Sequence, residues 1–279
     1  MTLPNFLIVG AAKAGTTSLY EHFRTHPEIF MPRLKEPRFF CYGGGGGDDR
    51  LKFPVQTREE YEALFAEGAG AKARGEASVH YLTQAPAAGR IRAMLPEVRL
   101  IASLRNPVDR AYSIFQMNRR NRGANEGLPF AEAMRGDPNL QDGYQAHLRR
   151  FFALFPRERI AIILLEDLEA EPRRTVRGLF EFLGVDPAFT PDVAKVANPG
   201  GEPRSKALHR LLSNTRLIAA SRKVMPEALI GPLKALRNRN LAKRPLPEAD
   251  RRAATDFFRE DILRTQDLIG RDLSHWLRA

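Results

Sequence analysis

A mostly parallel β-sheet with helices on both faces is the architecture this sequence predicts. Three observations predict it. Short apolar runs of strand length alternate with helical periods along the first 165 residues. A small-residue loop bounded by Gly10 and Gly15 follows the first run and opens directly into a helical stretch. The chain of 279 residues, 43% hydrophobic and 28% charged, is long enough to bury a full core and ordinary in composition for a globular protein.

The elements follow in order. Phe6–Val9 reads as a buried strand, and Thr17–His26 as the helix after the loop, with Thr16, Thr17 and Ser18 at its start. Further strands are expected near Ala73–Ser78, at Leu100–Leu104 and at Ile160–Leu165. Helical periods fall at Arg58–Phe65, Ala87–Leu95 and Pro107–Arg120. Beyond Ser113 helices dominate: Gln145–Phe155, Pro172–Leu183 with Gly184 as its C′ residue, Lys206–Ala220, and a final helix over Glu248–Ile269. Phe189–Pro203 is loop-like, and the glycine tract Gly43–Gly47 reads as a mobile loop, because ordering five glycines costs much entropy. The expected organisation is a single domain, with an α/β core over 1–205 and a basic helical part over 206–279.

A strand, a small-residue loop and a helix N-terminus together form an anion site, because backbone N–H groups and the helix dipole face the loop. The spacing Gly10 to Gly15 is that of a P-loop, G-x-x-x-x-G-K-[ST]. Here, however, Thr16 stands where the lysine belongs and the lysine is inside the loop, at Lys13. That arrangement argues against ordinary ATP or GTP hydrolysis and for a P-loop-like fold handling another nucleotide. Candidate anion ligands are Lys13, the N–H groups of Ala14, Gly15, Thr16 and Thr17, and the hydroxyls of this segment through Ser18.

Gly10-x-x-Lys13-x-Gly15-Thr16-Thr17 resembles the 5′-phosphosulfate loop of the sulfotransferases that use 3′-phosphoadenosine 5′-phosphosulfate (PAPS). Arg99–Ser113 resembles that family's 3′-phosphate site, with Arg105 at the end of a strand and Ser113 eight residues on in a helix. Lys35-Glu36-Pro37-Arg38-Phe39-Phe40 is similar to the Lys-Glu-x-x-Phe-Phe segment of the heparan-sulfate branch. The three matches come in family order across Phe6–Ser113, with weaker similarity at Leu273–Trp276. The resemblance implies sulfuryl transfer from PAPS to a hydroxyl or amine of a carbohydrate, lipid or small-molecule acceptor, with adenosine 3′,5′-bisphosphate released and no metal required. It assigns Lys13 to the leaving group, Glu36 to the general base, and a third nucleotide contact to Arg204 in the Gly200–Lys206 loop. His80 is the second candidate base, since imidazole suits neutral pH and some members use a histidine from a comparable region. One departure stands out. Heparan-type members carry a lysine after the glutamate in the segment matching Gly75–Tyr81, and here it is Ala77.

Arg105 can fork onto a phosphate as a lysine cannot. The competing readings are an ATP-dependent small-molecule kinase on the same fold and a non-catalytic anion-binding module. Net charge is +11, and Lys206–Arg244 alone holds ten Lys or Arg against Glu227. This block suits an acidic polymer or a peripheral membrane surface, or is a solvated face. It lacks base-stacking aromatics, so nucleic acid is not expected. The single cysteine, Cys41, and the absence of a leader or an 18-residue apolar span lead to the expectation of a cytoplasmic protein. The six histidines show no metal-ligand spacing.

Overall fold

The computed structural model describes residues 2–42, 53–122, 127–191, 202–203, 241–242 and 244–278. The chain packs into two compact units. One comprises Met1–Arg110, Gly143–Ala197 and Phe257–Arg278; the other comprises Ala111–Asp142 and Asn198–Asp256.

The first unit is an α/β sandwich on a five-stranded, all-parallel sheet. Its strands are β1 (Phe6–Gly10), β2 (Ile29–Phe30), β3 (Ala73–Ala77), β4 (Arg99–Leu104) and β5 (Ile160–Leu164), in spatial order β2-β3-β1-β4-β5. Every residue of β1, and β4 from Leu100 onward, is buried, as expected for central strands covered on both faces. Phe6, Ile8 and Ile101 point to one face, against Leu19, Tyr20 and Phe23 of α1 (Thr16–Thr25). Val176, Leu179, Phe180 and Leu183 of the later helix Pro172–Leu183 complete that core. Both helices bury residues three and four apart, the stripe an amphipathic helix needs. Gly184 ends the later helix in the left-handed conformation at φ 75°, so its expected C-terminal role holds.

Among the described residues the further α-helices are α2 (Arg58–Ala63), α3 (Ala85–Met94), α4 (Pro107–Arg122), α5 (Phe130–Gly136), α6 (Gln145–Leu154), α7 (Leu165–Ala170) and α9 (Glu248–Ile269), the helix Pro172–Leu183 above being α8. Phe258, Ile262, Thr265 and Ile269 give α9 a buried stripe, and Trp276 is buried in the short turn after it. In the second unit Tyr112 and Phe115 pack on Phe130, and Glu202–Pro203 pairs antiparallel with Leu241–Ala242.

The parallel sheet, its flanking helices and the helical C-terminal part agree with the sequence reading. Elements not expected include β2, α5, α7 and the Glu202–Pro203/Leu241–Ala242 pair, whose first strand falls where Phe189–Pro203 reads as a loop. β2 has two residues, too few to show a period. α5 is short, and α7 begins at Leu165 with no loop after β5, where the apolar run reads as one strand. The glycine tract 43–47, the expected helix 206–220 and most of the basic block lie outside the described residues. Among the described residues no helix is long and apolar enough to cross a membrane.

Candidate active site

β1 and β4 are neighbours, and the chain leaves β1 toward the β2 edge of the sheet but leaves β4 toward the β5 edge, so the sheet reverses its order between them. Ligands of such sheets bind outside the carboxyl ends of the strands at this reversal. The candidate residues cluster there.

The loop after β1 is held from both sides. The Ala11 N–H donates to Ser103 C=O at 2.7 Å, and the Ser103 hydroxyl donates to Ala14 C=O. Gly15 stands at the N-cap of α1 with φ 80°, and a Cβ there would lie 2.7 Å from Leu165 Cδ1. Only glycine meets both demands without strain. Gly15 has no side chain to cap the helix, so the Thr16 and Thr17 N–H groups are the donors left for an anion, while the Ser18 N–H donates to Gly15 C=O at 2.9 Å. Thr16 is buried, and Lys13, Thr17 and Ser18 are half-buried. Lys13 itself has φ 66°, a left-handed conformation uncommon for a non-glycine residue.

The loop after β4 carries Arg105. Its Nη1 donates to the Lys13 carbonyl at 3.2 Å, so the structure brings the two predicted anion sites together. Ser113 is half-buried on α4 and belongs to the second unit. Arg204 lies outside the described residues.

A third loop meets these at the end of β3. The Ser78 and Leu82 N–H groups donate to Ile8 and Val9 C=O at 3.1 and 2.9 Å, which sets the turn after β3 beside the β1 loop. The Lys35–Arg38 segment docks on it. Glu36 N–H donates to Ala77 C=O at 3.0 Å, Val79 N–H donates to Glu36 Oε2 at 3.2 Å, and Arg38 N–H donates to the Ser78 hydroxyl at 3.0 Å. Glu36 and Arg38 also have positive φ, 64° and 57°. The non-glycine residues with positive φ among those described are thus Lys13, Glu36 and Arg38, all in these loops, the kind of clustering seen at functional sites.

The two candidate bases are neighbours. His80 Nδ1 lies 3.8 Å from Glu36 Oε2, while Lys35 Nζ lies 2.8 Å from Oε1 and Arg38 Nε 3.6 Å from Oε2. Burial raises the Glu36 carboxyl, but His80 and the Lys35 ammonium outweigh it and hold the group down at about 2. The His80 Nδ1 edge is buried in a side chain that is 31% exposed, which leaves the Nε2 edge toward solvent.

Sequence reasoning missed a second carboxyl. Glu76, on β3, is fully buried and accepts from the Tyr61 hydroxyl at 3.4 Å. Burial pushes it up to about 8, only partly offset by the Tyr81, Ser78 and Tyr61 hydroxyls. Burial also pushes the Cys41 thiol up to about 12, so it is a closed thiol at neutral pH. A glutamate in the short strand Ala73–Ala77, between Gly75 and Ala77, was the available signal for Glu76. Among the described residues no group of three His, Cys, Asp or Glu side chains is placed to hold a metal.

A parallel α/β sheet with a glycine-bounded loop opening a helix at its reversal point, and an arginine reaching that loop from the next strand, is a P-loop-like α/β architecture. The chain matches the sulfotransferase domain family over residues 3–199, and it belongs to that family. It is 28% identical over 207 residues to human bifunctional heparan sulfate N-deacetylase/N-sulfotransferase 2, covering 66% of this chain and 22% of that protein. It is 27% identical over 252 residues to rat carbohydrate sulfotransferase 15, covering 66% of this chain and 44% of that protein. The chain therefore spans less than half the length of either relative. The crystal structure of a sulfotransferase from Alicyclobacillus acidocaldarius superposes with a TM-score of 0.74 at 28% identity, covering both chains fully.

Proposed function

We propose that this chain transfers a sulfuryl group from PAPS to a hydroxyl or amine, releasing adenosine 3′,5′-bisphosphate. The observation that carries the reading is the union of two anion sites at the sheet reversal, with Arg105 bonded to the backbone of Lys13, in a chain of the sulfotransferase family. The first turn of α1 suits a 5′-phosphate, since its Thr16 and Thr17 N–H groups are preset donors. Arg105 suits the 3′-phosphate, because a guanidinium forks onto two phosphate oxygens. The nucleotide supplies the activated sulfuryl group; everything else is positioning and charge stabilisation.

Lys13, in this loop, is assigned to stabilise charge on the bridging oxygen as the S–O bond to the nucleotide breaks. The acceptor oxygen or nitrogen forms the new bond to sulfur from the opposite side, and its proton passes to a base. The geometry favours His80 for that proton, with the Glu36 carboxylate 3.8 Å from Nδ1 as a nearby negative charge. A carboxylate held at about 2 is a weak base at neutral pH, and its oxygens already face Lys35 and Arg38. A carbohydrate acceptor is supported by the names of the relatives and by the Lys35–Phe40 segment. PAPS, the acceptor class, the single-domain organisation and a contact through 206–244 are all parts of this proposal.

The test is release of adenosine 3′,5′-bisphosphate from PAPS, with N-desulfated heparan fragments and simple phenols as acceptors. Wild type is expected to release it in an acceptor-dependent way, and Lys13→Ala to lose most of that rate. Release that does not depend on acceptor, or that ignores Lys13→Ala, would contradict the mechanism.

A further inference from the structure

The structure assigns Tyr144, anchored by Asp261, as a positioning residue for Arg105, and we propose that this clamp sets affinity for the 3′-phosphate. The inference rests on the reading of Arg105 as the 3′-phosphate ligand.

The Tyr144 hydroxyl donates to Arg105 C=O at 2.7 Å and accepts from Arg105 N–H at 3.2 Å. One hydroxyl thus holds the peptide groups on both sides of a single Cα. That fixes the local φ and ψ, and with them the direction in which the Arg105 side chain leaves the backbone. A tyrosine needed only for packing would satisfy its hydroxyl with one partner. Tyr144 is 1% exposed, so both bonds form away from water and neither group has a solvent substitute.

The tyrosine is itself held at its backbone. The Tyr144 N–H donates to both oxygens of Asp261 on α9, at 3.0 and 2.9 Å, and Gln145 N–H donates to Oδ1 at 3.0 Å. These N–H groups open α6, where an acceptor is otherwise missing. Gly143 makes room for this approach. A Cβ at 143 would lie 2.3 Å from the Asp261 Cγ, so Asp261 can approach as it does only with glycine at 143. The Arg110 guanidinium sits 4.9 Å over the Tyr144 ring, and the Trp276 ring lies 6.2 Å away. Next to Arg105, the Asn106 side chain donates to Trp276 C=O at 3.2 Å and accepts from Val108 N–H at 2.9 Å. Arg105 is therefore aimed by α6, α9 and the turn after α9, none of which the motif around Arg105 contains. A small rotation at its Cα would be amplified at the guanidinium, where a forked contact tolerates little misplacement.

The test compares adenosine 3′,5′-bisphosphate with adenosine 5′-monophosphate, which lacks only the 3′-phosphate. Both are titrated into wild type, Tyr144→Phe, Asp261→Asn, Arg105→Ala and the double variant Tyr144→Phe/Arg105→Ala. Tyr144→Phe keeps the ring and removes the hydroxyl. It is expected to weaken the bisphosphate about tenfold and to leave the monophosphate within about twofold. Asp261→Asn should shift the same ratio in the same direction by less. In the Arg105→Ala background the hydroxyl should no longer matter, which shows that it acts through the arginine. Should Tyr144→Phe fail to fold, Asp261→Asn carries the same comparison. Equal weakening of both nucleotides, or an unchanged ratio, would overturn the clamp. Wild type that does not prefer the bisphosphate would instead overturn the 3′-phosphate assignment, and this proposal with it.

Discussion

The loop after β1 carries its candidate ligands as neighbours in sequence, with Ser103 bracing its backbone, whereas the direction of Arg105 in the loop after β4 is set by residues far from it. Between Gly10 and Ser18 the β1 loop carries its own glycines, its lysine and its helix start, and Gly15 alone sets both the turn and the close approach to Leu165. Arg105 is held by Tyr144, 39 positions away. Tyr144 is held by Asp261, another 117 away, and Asn106 is held by Trp276 at a separation of 170. Phosphate binding by backbone donors needs one contiguous turn. Aiming a long flexible side chain needs a rigid surround, and only tertiary packing supplies one.

The largest expected effect tests the loop after β1. Lys13→Ala should slow sulfuryl transfer by about 10² to 10³, the cost of removing one preorganised charge from a transition state, with a smaller loss of nucleotide affinity. Steady-state rates beside product titrations would separate the two. Equal losses in both would make Lys13 a binding residue only.

The third loop mixes the two designs, and its Glu36 sharpens the contrast through pH. The folded carboxyl sits at about 2 against an ordinary 4.5. Stability from its ionised form is therefore present above pH 4.5 and is lost as pH falls toward 2. Glu36→Gln should cost about 3 kcal/mol near neutrality and almost nothing at pH 2. Denaturant unfolding across that range gives the answer, and a cost independent of pH would mean that the charge pairing contributes nothing.

Arg105→Ala should weaken the bisphosphate by about 30- to 100-fold, as expected for a lost charge-assisted fork, while sparing the monophosphate. An identical loss for both nucleotides would place the arginine in loop structure instead. The smallest effect is on Gly15. Gly15→Ala should cost about 1 to 3 kcal/mol of stability, from the left-handed backbone and the contact with Leu165. A thermal melt checks it, and an unchanged Tm would show that the loop relaxes freely.

What the sequence made legible follows the same division. The strand–loop–helix at Phe6–Thr25, the strand ending before Arg105, and the Lys35–Phe40 segment could be read because their chemistry is local. That Glu36 and His80 stand together was not readable, since 44 positions separate them and neither motif mentions the other. Asp261 looked like any acid on an exposed helix, and Tyr144 like the residue before an amphipathic one. Gly143 was a faint signal, a glycine beside a helix start whose reason is a carboxylate from α9. The kinase alternative draws on the same local loop, and the match to the sulfotransferase family is what counts against it.

The most direct measurement is a calorimetric titration of adenosine 3′,5′-bisphosphate into wild type and Arg105→Ala, with ATP and Mg²⁺ as the comparison ligand. The account predicts tight binding by wild type, not matched by ATP and largely lost in the variant. Preference for ATP, or binding that ignores Arg105, would contradict it.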